Sequence, residues 1–180
     1  MMLVKRDSMP LFPRFTTPAI MDEPLLIIRP YQDKDLSQLR QITVASFGSV
    51  ALEQMLEHKF GLWNERDWKV RKASHIDDDV SQCPEGCFVA ERGTEILGYI
   101  TTRLDRVNER GRIPNIAVVE SARGLGLGRR LIQHALDYMR DEGMKLAQIE
   151  TMASNAIGQH LYPSCGFEEV ARQVHYAMKL

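Results

Sequence analysis

Apolar positions along the chain change their period several times, and each change predicts a new element. Leu25 to Pro30 opens with a short apolar run that reads as a first strand. Leu36, Leu39, Ile42 and Phe47 then fall on one helical face, with Asp33 placed to cap that helix. Leu52, Met55 and Leu56 repeat the spacing and predict a second helix over Val50 to Phe60. Gly61 to Pro84 is polar and mixed. It carries Trp63, Trp68 and the acidic run Asp77-Asp78-Asp79, which reads as a solvated loop able to draw in a cationic amine. Phe88 to Glu91 and Ile96 to Leu104 flank Arg92-Gly93-Thr94, the pattern of a β-hairpin. A third strand of that meander spans about Arg112 to Val119.

The next helix follows Gly128, turns Leu131, Ile132, Ala135, Leu136 and Met139 inward, and stops at Gly143. Lys145 to Thr151 has strand character, and Asn155 to Tyr162 forms a short helix that Pro163 should end. Two strands, around Glu169 and over Val174 to Met178, complete the predicted order β-α-α-β-β-β-α-β-α-β-β. One β-α-β unit, Ile116 to Thr151, sits inside an otherwise antiparallel order, so the class is a mixed α/β (α+β) sheet flanked by helices. Met1 to Pro24 holds four of the eight prolines and shows no periodicity. It is expected to be a flexible N-terminal arm ahead of a single domain over residues 25–180.

Composition narrows the choice of function. Apolar residues at 44% and charged residues at 26% fit a soluble globule, and 180 residues can bury a substantial core. A net charge of −1 lacks the basic surplus of a nucleic-acid-binding domain. No apolar run approaches the roughly 20 residues of a membrane helix, and residues 1–14 contain no continuous apolar stretch of the secretory kind. Three scattered cysteines suit reduced thiols in a cytoplasm. Cys83 and Cys87 lack a second ligand pair, and His58, His75, His134, His160 and His175 have no ligand spacing, so no metal is expected. Cys165 has no base in a recognisable register, which argues against a cysteine nucleophile.

The chemistry concentrates in two segments. Asn115 to Arg129 runs from an apolar strand through Arg123-Gly124-Leu125-Gly126-Leu127-Gly128 into an amphipathic helix. Glycines there leave backbone N–H groups bare, and the helix start adds roughly half a positive charge, which together make a socket for a phosphate. A turn with glycines for close packing would look similar. The dinucleotide fingerprint G-x-G-x-x-G is broken, since its last position falls on Arg129 or Leu131. In the second segment, Glu150 ends a strand with its side chain opposite Ala147, Ile149 and Thr151. Asn155 is placed as a helix N-cap, and Tyr162 follows Glu150 by twelve residues.

Together these segments resemble the GNAT superfamily of N-acetyltransferases, and within it the ribosomal-protein-alanine N-acetyltransferases. Arg123, Gly126 and Gly128 match the superfamily's pyrophosphate signature. The preceding NIAV, and E-x-x-x-S-N with Tyr162 and Cys165-Gly166-Phe167 behind it, match the subgroup. The resemblance spans roughly Leu25 to Leu180, strong from Asn115 to Phe167 and weak from Phe47 to Cys83. It implies a mostly antiparallel sheet with one splayed parallel strand pair, and acetyl-coenzyme A entering between those strands. It further implies pantetheine pairing along Ile116, Ala117 and Val118, pyrophosphate at Gly124, Leu125, Gly126, Leu127, Gly128 and Arg129, and a cofactor contact from Asn155. Glu150 would be the base and Tyr162 the acid. The acceptor would be a primary amine such as a peptide N-terminus. A small amine, an amino acid or a polyamine is the alternative, as is a non-catalytic acyl-coenzyme A sensor. A homodimer is common in the superfamily. Gly158 stands where Ala is usual, and Pro163 directly follows Tyr162.

Overall fold

A computed structural model describes residues 25–180, and the predicted N-terminal arm lies outside the described residues. In chain order the elements are β1 (Leu26–Pro30), α1 (Leu36–Phe47), α2 (Leu52–Phe60), α3 (Trp68–Gln82), β2 (Cys87–Arg92) and β3 (Glu95–Thr101). They continue with β4 (Arg103–Asp105), β5 (Arg110–Ile113), β6 (Ile116–Val118), α4 (Leu127–Asp141), β7 (Leu146–Ile149) and α5 (Ala156–Ser164).

Two hydrogen-bonded groups of strands make the sheet, β1-β2-β3-β6 and β4-β5-β7. They join because β4 continues β3 past Thr102, and β5 runs into β6 across Pro114-Asn115. Every pairing is antiparallel except β5 with β7, which run parallel from Arg110 opposite Leu146 to Ile113 opposite Ile149. Helices cover both faces, which is why β2 and β3 are apolar at nearly every position instead of alternating with polar residues. On one face Phe88, Ala90, Ile100 and Ile113 pack under Leu131, Ile132, Ala135 and Met139 of α4. On the other, Val89, Ile96, Tyr99 and Ala117 meet Leu39 and Ile42 of α1 and Ile76 of α3. A bulge opposite Ala90 and Glu91 makes Leu97 the extra residue and lets neighbouring positions reach different faces. The mixed α/β class and the splayed parallel pair match the expectation. No helix among the described residues is long and apolar enough to cross a membrane.

Five local expectations differ. Asp33 does not cap α1. It opens a 3-10 turn over Asp33–Asp35, and the buried Asp35 carboxylate accepts the Gln32 N–H at 2.9 Å and two bonds from Arg29 at 2.7 and 3.0 Å. The polar stretch after Gly61 contains α3, whose first turn is capped by Asp67 accepting the Val70 N–H at 2.9 Å. Its buried positions include Lys72 and Asp79 beside Ile76, so an apolar-only pattern hides the helix. The third meander strand is split at Pro114-Asn115. Helix α5 extends through Pro163 to Ser164, because a proline in a last turn forfeits little, and Gly166, at φ 93°, makes the stop. The two C-terminal strands do not form, and residues 168–180 carry no strand.

Candidate active site

The cleft begins where the parallel pair ends. Beyond Ile113 and Ile149, β7 stops and β6 stays paired with β3 alone, through Ile116–Ile100, Ala117–Tyr99 and Val118–Gly98. The other edge of β6 is therefore open, with backbone groups of Ile116 to Val118 able to pair with an extended ligand. Asn115 fixes the break. Its backbone carbonyl accepts the Thr101 N–H at 2.9 Å, and its amide donates to Asp79 Oδ2 at 2.7 Å. Asp79, 1% exposed, also accepts from Thr101 Oγ1 at 2.7 Å and from Arg103 at 2.7 and 3.1 Å. The buried Lys72 ammonium donates to Asn115 Oδ1 at 2.9 Å, and burial lowers its pKa. One carboxylate of the predicted solvated run is thus a buried anchor that ties α3 to the divergence of the strands.

At the far end of β6 the glycine-rich turn leads into α4. Gly124 and Gly126 both hold φ 76°, the left-handed region that glycine enters freely. Gly126 is the N-cap of α4, and the first bond into the helix from this turn is Arg130 N–H to Gly126 O at 3.1 Å. The N–H groups from Leu127 to Arg129 belong to an open first turn, and those of Gly124 to Gly126 have no backbone acceptor among the described residues. Gly128 serves packing, since a Cβ there would lie 3.1 Å from Leu161 Cδ2 of α5. The side chains of both flanking arginines point elsewhere. Arg123 Nε donates to Val118 O at 3.2 Å, and Arg129 grips Ser164 of α5 at 2.6 and 3.1 Å. Backbone, not guanidinium, lines the socket.

Glu150 and Tyr162 flank the end of β7. Glu150 takes one bond from Arg112 at 2.7 Å and one from Gln148 at 2.9 Å, leaving its carboxylate half exposed. Arg112 and Gln148 are register partners on β5 and β7, so Glu150 belongs to their face of the sheet. Tyr162 packs against the α4-side core beside Phe167, at 6.4 Å between ring centroids. Burial raises the Tyr162 phenol above its ordinary value, and a hydrogen bond with Thr151 offsets part of that rise. Asn155 caps α5 by accepting the Gly158 N–H at 3.2 Å while donating to Thr151 Oγ1 at 2.8 Å. The Gly158 departure has a steric reason. A Cβ there would lie 2.9 Å from Thr151 Oγ1, 3.0 Å from Asn155 Nδ2 and 3.2 Å from the Tyr162 ring. Thr151 and Arg112, which the sequence did not single out, organise the two candidates, and only three-dimensional register brings them there.

Next to Arg112 a hollow of about 310 Å³ opens between α3 and the strand break, lined by Lys72, His75, Asp78, Arg103, Pro114 and Asn115. The open β6 edge leads toward the bare N–H turn, and Glu150 and Tyr162 stand at the end of β7. The sequence profile of the Acetyltransferase (GNAT) family matches residues 47–167, and this chain belongs to that family. It is 34% identical over 116 residues to a mycothiol acetyltransferase of Thermomonospora curvata, covering 64% of this chain and 37% of that enzyme. An N-alpha-acetyltransferase of Sulfurisphaera tokodaii is 32% identical over 100 residues, covering 49% of this chain and 60% of the relative. The chain thus spans little more than a third of the first of these and three fifths of the second. Among solved structures, the Escherichia coli ribosomal-protein-S18-alanine N-acetyltransferase superposes with a TM-score of 0.60 at 21% identity, covering 82% of this chain and 80% of that one, a likeness of fold.

Proposed function

We propose that the protein transfers an acetyl group from acetyl-coenzyme A to a primary amine by direct attack within a ternary complex. The observation that carries this reading is the continuity of the open β6 edge with the bare N–H turn before α4. An extended pantetheine arm pairs along Ile116, Ala117 and Val118, and its pyrophosphate reaches the N–H groups of Gly124 to Arg129. Glu150 accepts a proton from the amine, directly or through water, so that a neutral nitrogen attacks the thioester carbonyl. The carbon–sulfur bond breaks, and Tyr162 returns a proton to the departing thiolate. Its raised pKa supports that role, because an acid must hold its proton until the thiolate forms. Asn155 steadies Thr151 and, through it, the phenol.

The acceptor reading rests on relatives of two kinds. A protein or peptide N-terminus follows from the N-alpha-acetyltransferase, and a small amine from the mycothiol enzyme. The test is an acceptor screen with acetyl-coenzyme A, following free thiol release. Turnover with peptides of free N-terminus and none with their N-blocked forms supports the reading. Turnover confined to small amines or amino acids moves the acceptor to the second class. No turnover with any amine, alongside tight binding of the cosubstrate, would make the protein an acyl-coenzyme A sensor.

A further inference from the structure

The hollow beside Arg112 contains a buried cation whose charge is not compensated. Lys72 is 7% exposed. Its ammonium donates to the neutral Asn115 Oδ1 at 2.9 Å and lies 4.1 Å from the centroid of the Phe47 ring. An ammonium has three donors, so one bond to an amide leaves it short of acceptors, and buried lysines are ordinarily paired. The two carboxylates that attract it are engaged elsewhere, Glu53 with His75 at 2.9 Å and Asp79 with Arg103 at 2.7 Å. Burial outweighs their attraction and lowers the Lys72 pKa. Lys72 lines the hollow together with Arg112, whose guanidinium makes a single side-chain bond among the described residues, to Glu150 at 2.7 Å. Of the carboxylates in the lining, Asp79 is saturated by its bonds from Thr101, Arg103 and Asn115, and Asp78 stands exposed, where solvent screens it.

We propose that this hollow is a subsite for a carboxylate of the acceptor, taken up by the spare donors of Lys72 and Arg112, so that the preferred acceptor bears an acidic group close to its reacting amine. This subsite presupposes the acetyl-transfer reading, and it lies at the strand break, one side chain away from Glu150. Its volume of about 310 Å³ is at the lower end for small-ligand sites and suits one short acidic group. A carboxylate beside Lys72 compensates a charge that folding has already desolvated. Glu150 adds a second reason. When it takes the proton of the amine its negative charge is cancelled, Arg112 loses its counter-ion, and the carboxylate of the acceptor replaces it. A polyamine gains nothing here, because its second ammonium would face Lys72. The carboxylate is the side chain of a peptide's first or second residue, or the α-carboxylate of a free amino acid.

Paired acceptors test it, each pair differing only in carboxylate against carboxamide. One set is peptides of free N-terminus with Glu or Gln at the first or second residue, and the other is free amino acids with their C-amides. Thiol release from acetyl-coenzyme A gives kcat/KM, and titration calorimetry in the presence of coenzyme A gives affinity. The parent should favour the acidic member of a pair by on the order of tenfold or more, the scale of a hydrogen bond to a charged group. Lys72→Met keeps an apolar stem over Phe47 and removes the charge, and Lys72→Gln also keeps a donor for Asn115. Both should bring the ratio close to one. The ratio is read within each protein, so a general loss from disturbing Asn115 cancels. Preference among the peptides identifies an acidic N-terminal residue, and preference among the amino acids identifies a free amino acid. Turnover that is equal for acid and amide throughout overturns the subsite and leaves the acetyl-transfer reading intact, as does a preference that both variants retain. Absence of turnover, with a carboxylate-dependent affinity that the variants lose, sinks the acetyl-transfer reading and keeps the subsite. Equal affinities without turnover sink both.

Discussion

Tyr162 and Glu150 occupy contrasting settings at one strand end, and their chemistry is separable by pH. The Tyr162 phenol is pushed upward chiefly by burial, so it keeps its proton to higher pH than the ordinary tyrosine value of about 10. An acid with a raised pKa loses function only as pH climbs through that raised value, so kcat should show no alkaline loss from this group below about pH 10. Tyr162→Phe keeps the ring and its packing against Phe167 but removes the proton. It should lower kcat by on the order of 10²–10⁴-fold with little change in coenzyme A affinity. Steady-state kinetics beside a binding isotherm checks this, and weakened binding with normal kcat would make Tyr162 a cofactor contact instead. Glu150→Gln keeps the side-chain shape and one acceptor oxygen for the two donors, Arg112 and Gln148, and removes the basicity. Its kcat/KM should fall most at low pH, where the amine is largely protonated. Equal profiles for variant and parent would take Glu150 out of the reaction.

At the scale of elements, the decisive feature is the break between β5 and β6, which is held from α3. Asp79 is fully buried, paired with the partly exposed Arg103 and hydrogen-bonded by Asn115 and Thr101, so Asp79→Ala leaves the buried Asn115 amide and Thr101 hydroxyl without their acceptor. The expected loss is about 1–3 kcal/mol in denaturant unfolding, the scale for leaving buried polar groups without their acceptor. Asp77→Ala removes only an exposed pair with Arg40 and should cost about 1 kcal/mol or less. Equal losses at the two positions would refute the anchoring role. The sequence made the turn before α4 and the apolar stripe of that helix legible, because glycine spacing and a period of 3.6 are local signals. It did not disclose α3, whose inward face includes Lys72 and Asp79. The worth of those polar residues depends on partners at Arg103 and Asn115, far along the chain. Likewise Gly158 looked like a weakness in α5 and is instead the clearance for Thr151, Asn155 and Tyr162.

Across the whole molecule, two helical layers enclose a sheet whose one parallel pair diverges, and the divergence leaves a path from the end of β7, where Glu150 and Tyr162 stand, along the open β6 edge to the glycine turn. That order follows from long-range register, which periodicity cannot supply: Arg112 meets Glu150 only because β5 and β7 pair in parallel. The same limit explains the C-terminal segment, where the two strands expected around Glu169 and over Val174 to Met178 do not form. The central claim is that this path binds acetyl-coenzyme A through backbone groups, and titration calorimetry on the parent protein and on Gly126→Val tests it most directly. Gly126 sits at φ 76°, so a β-branched residue there distorts the socket while leaving the core untouched. The account predicts saturable binding by the parent and at least tenfold weaker binding by the variant, both folded by circular dichroism. No binding by the parent at millimolar ligand, or equal binding by the two proteins, would contradict it.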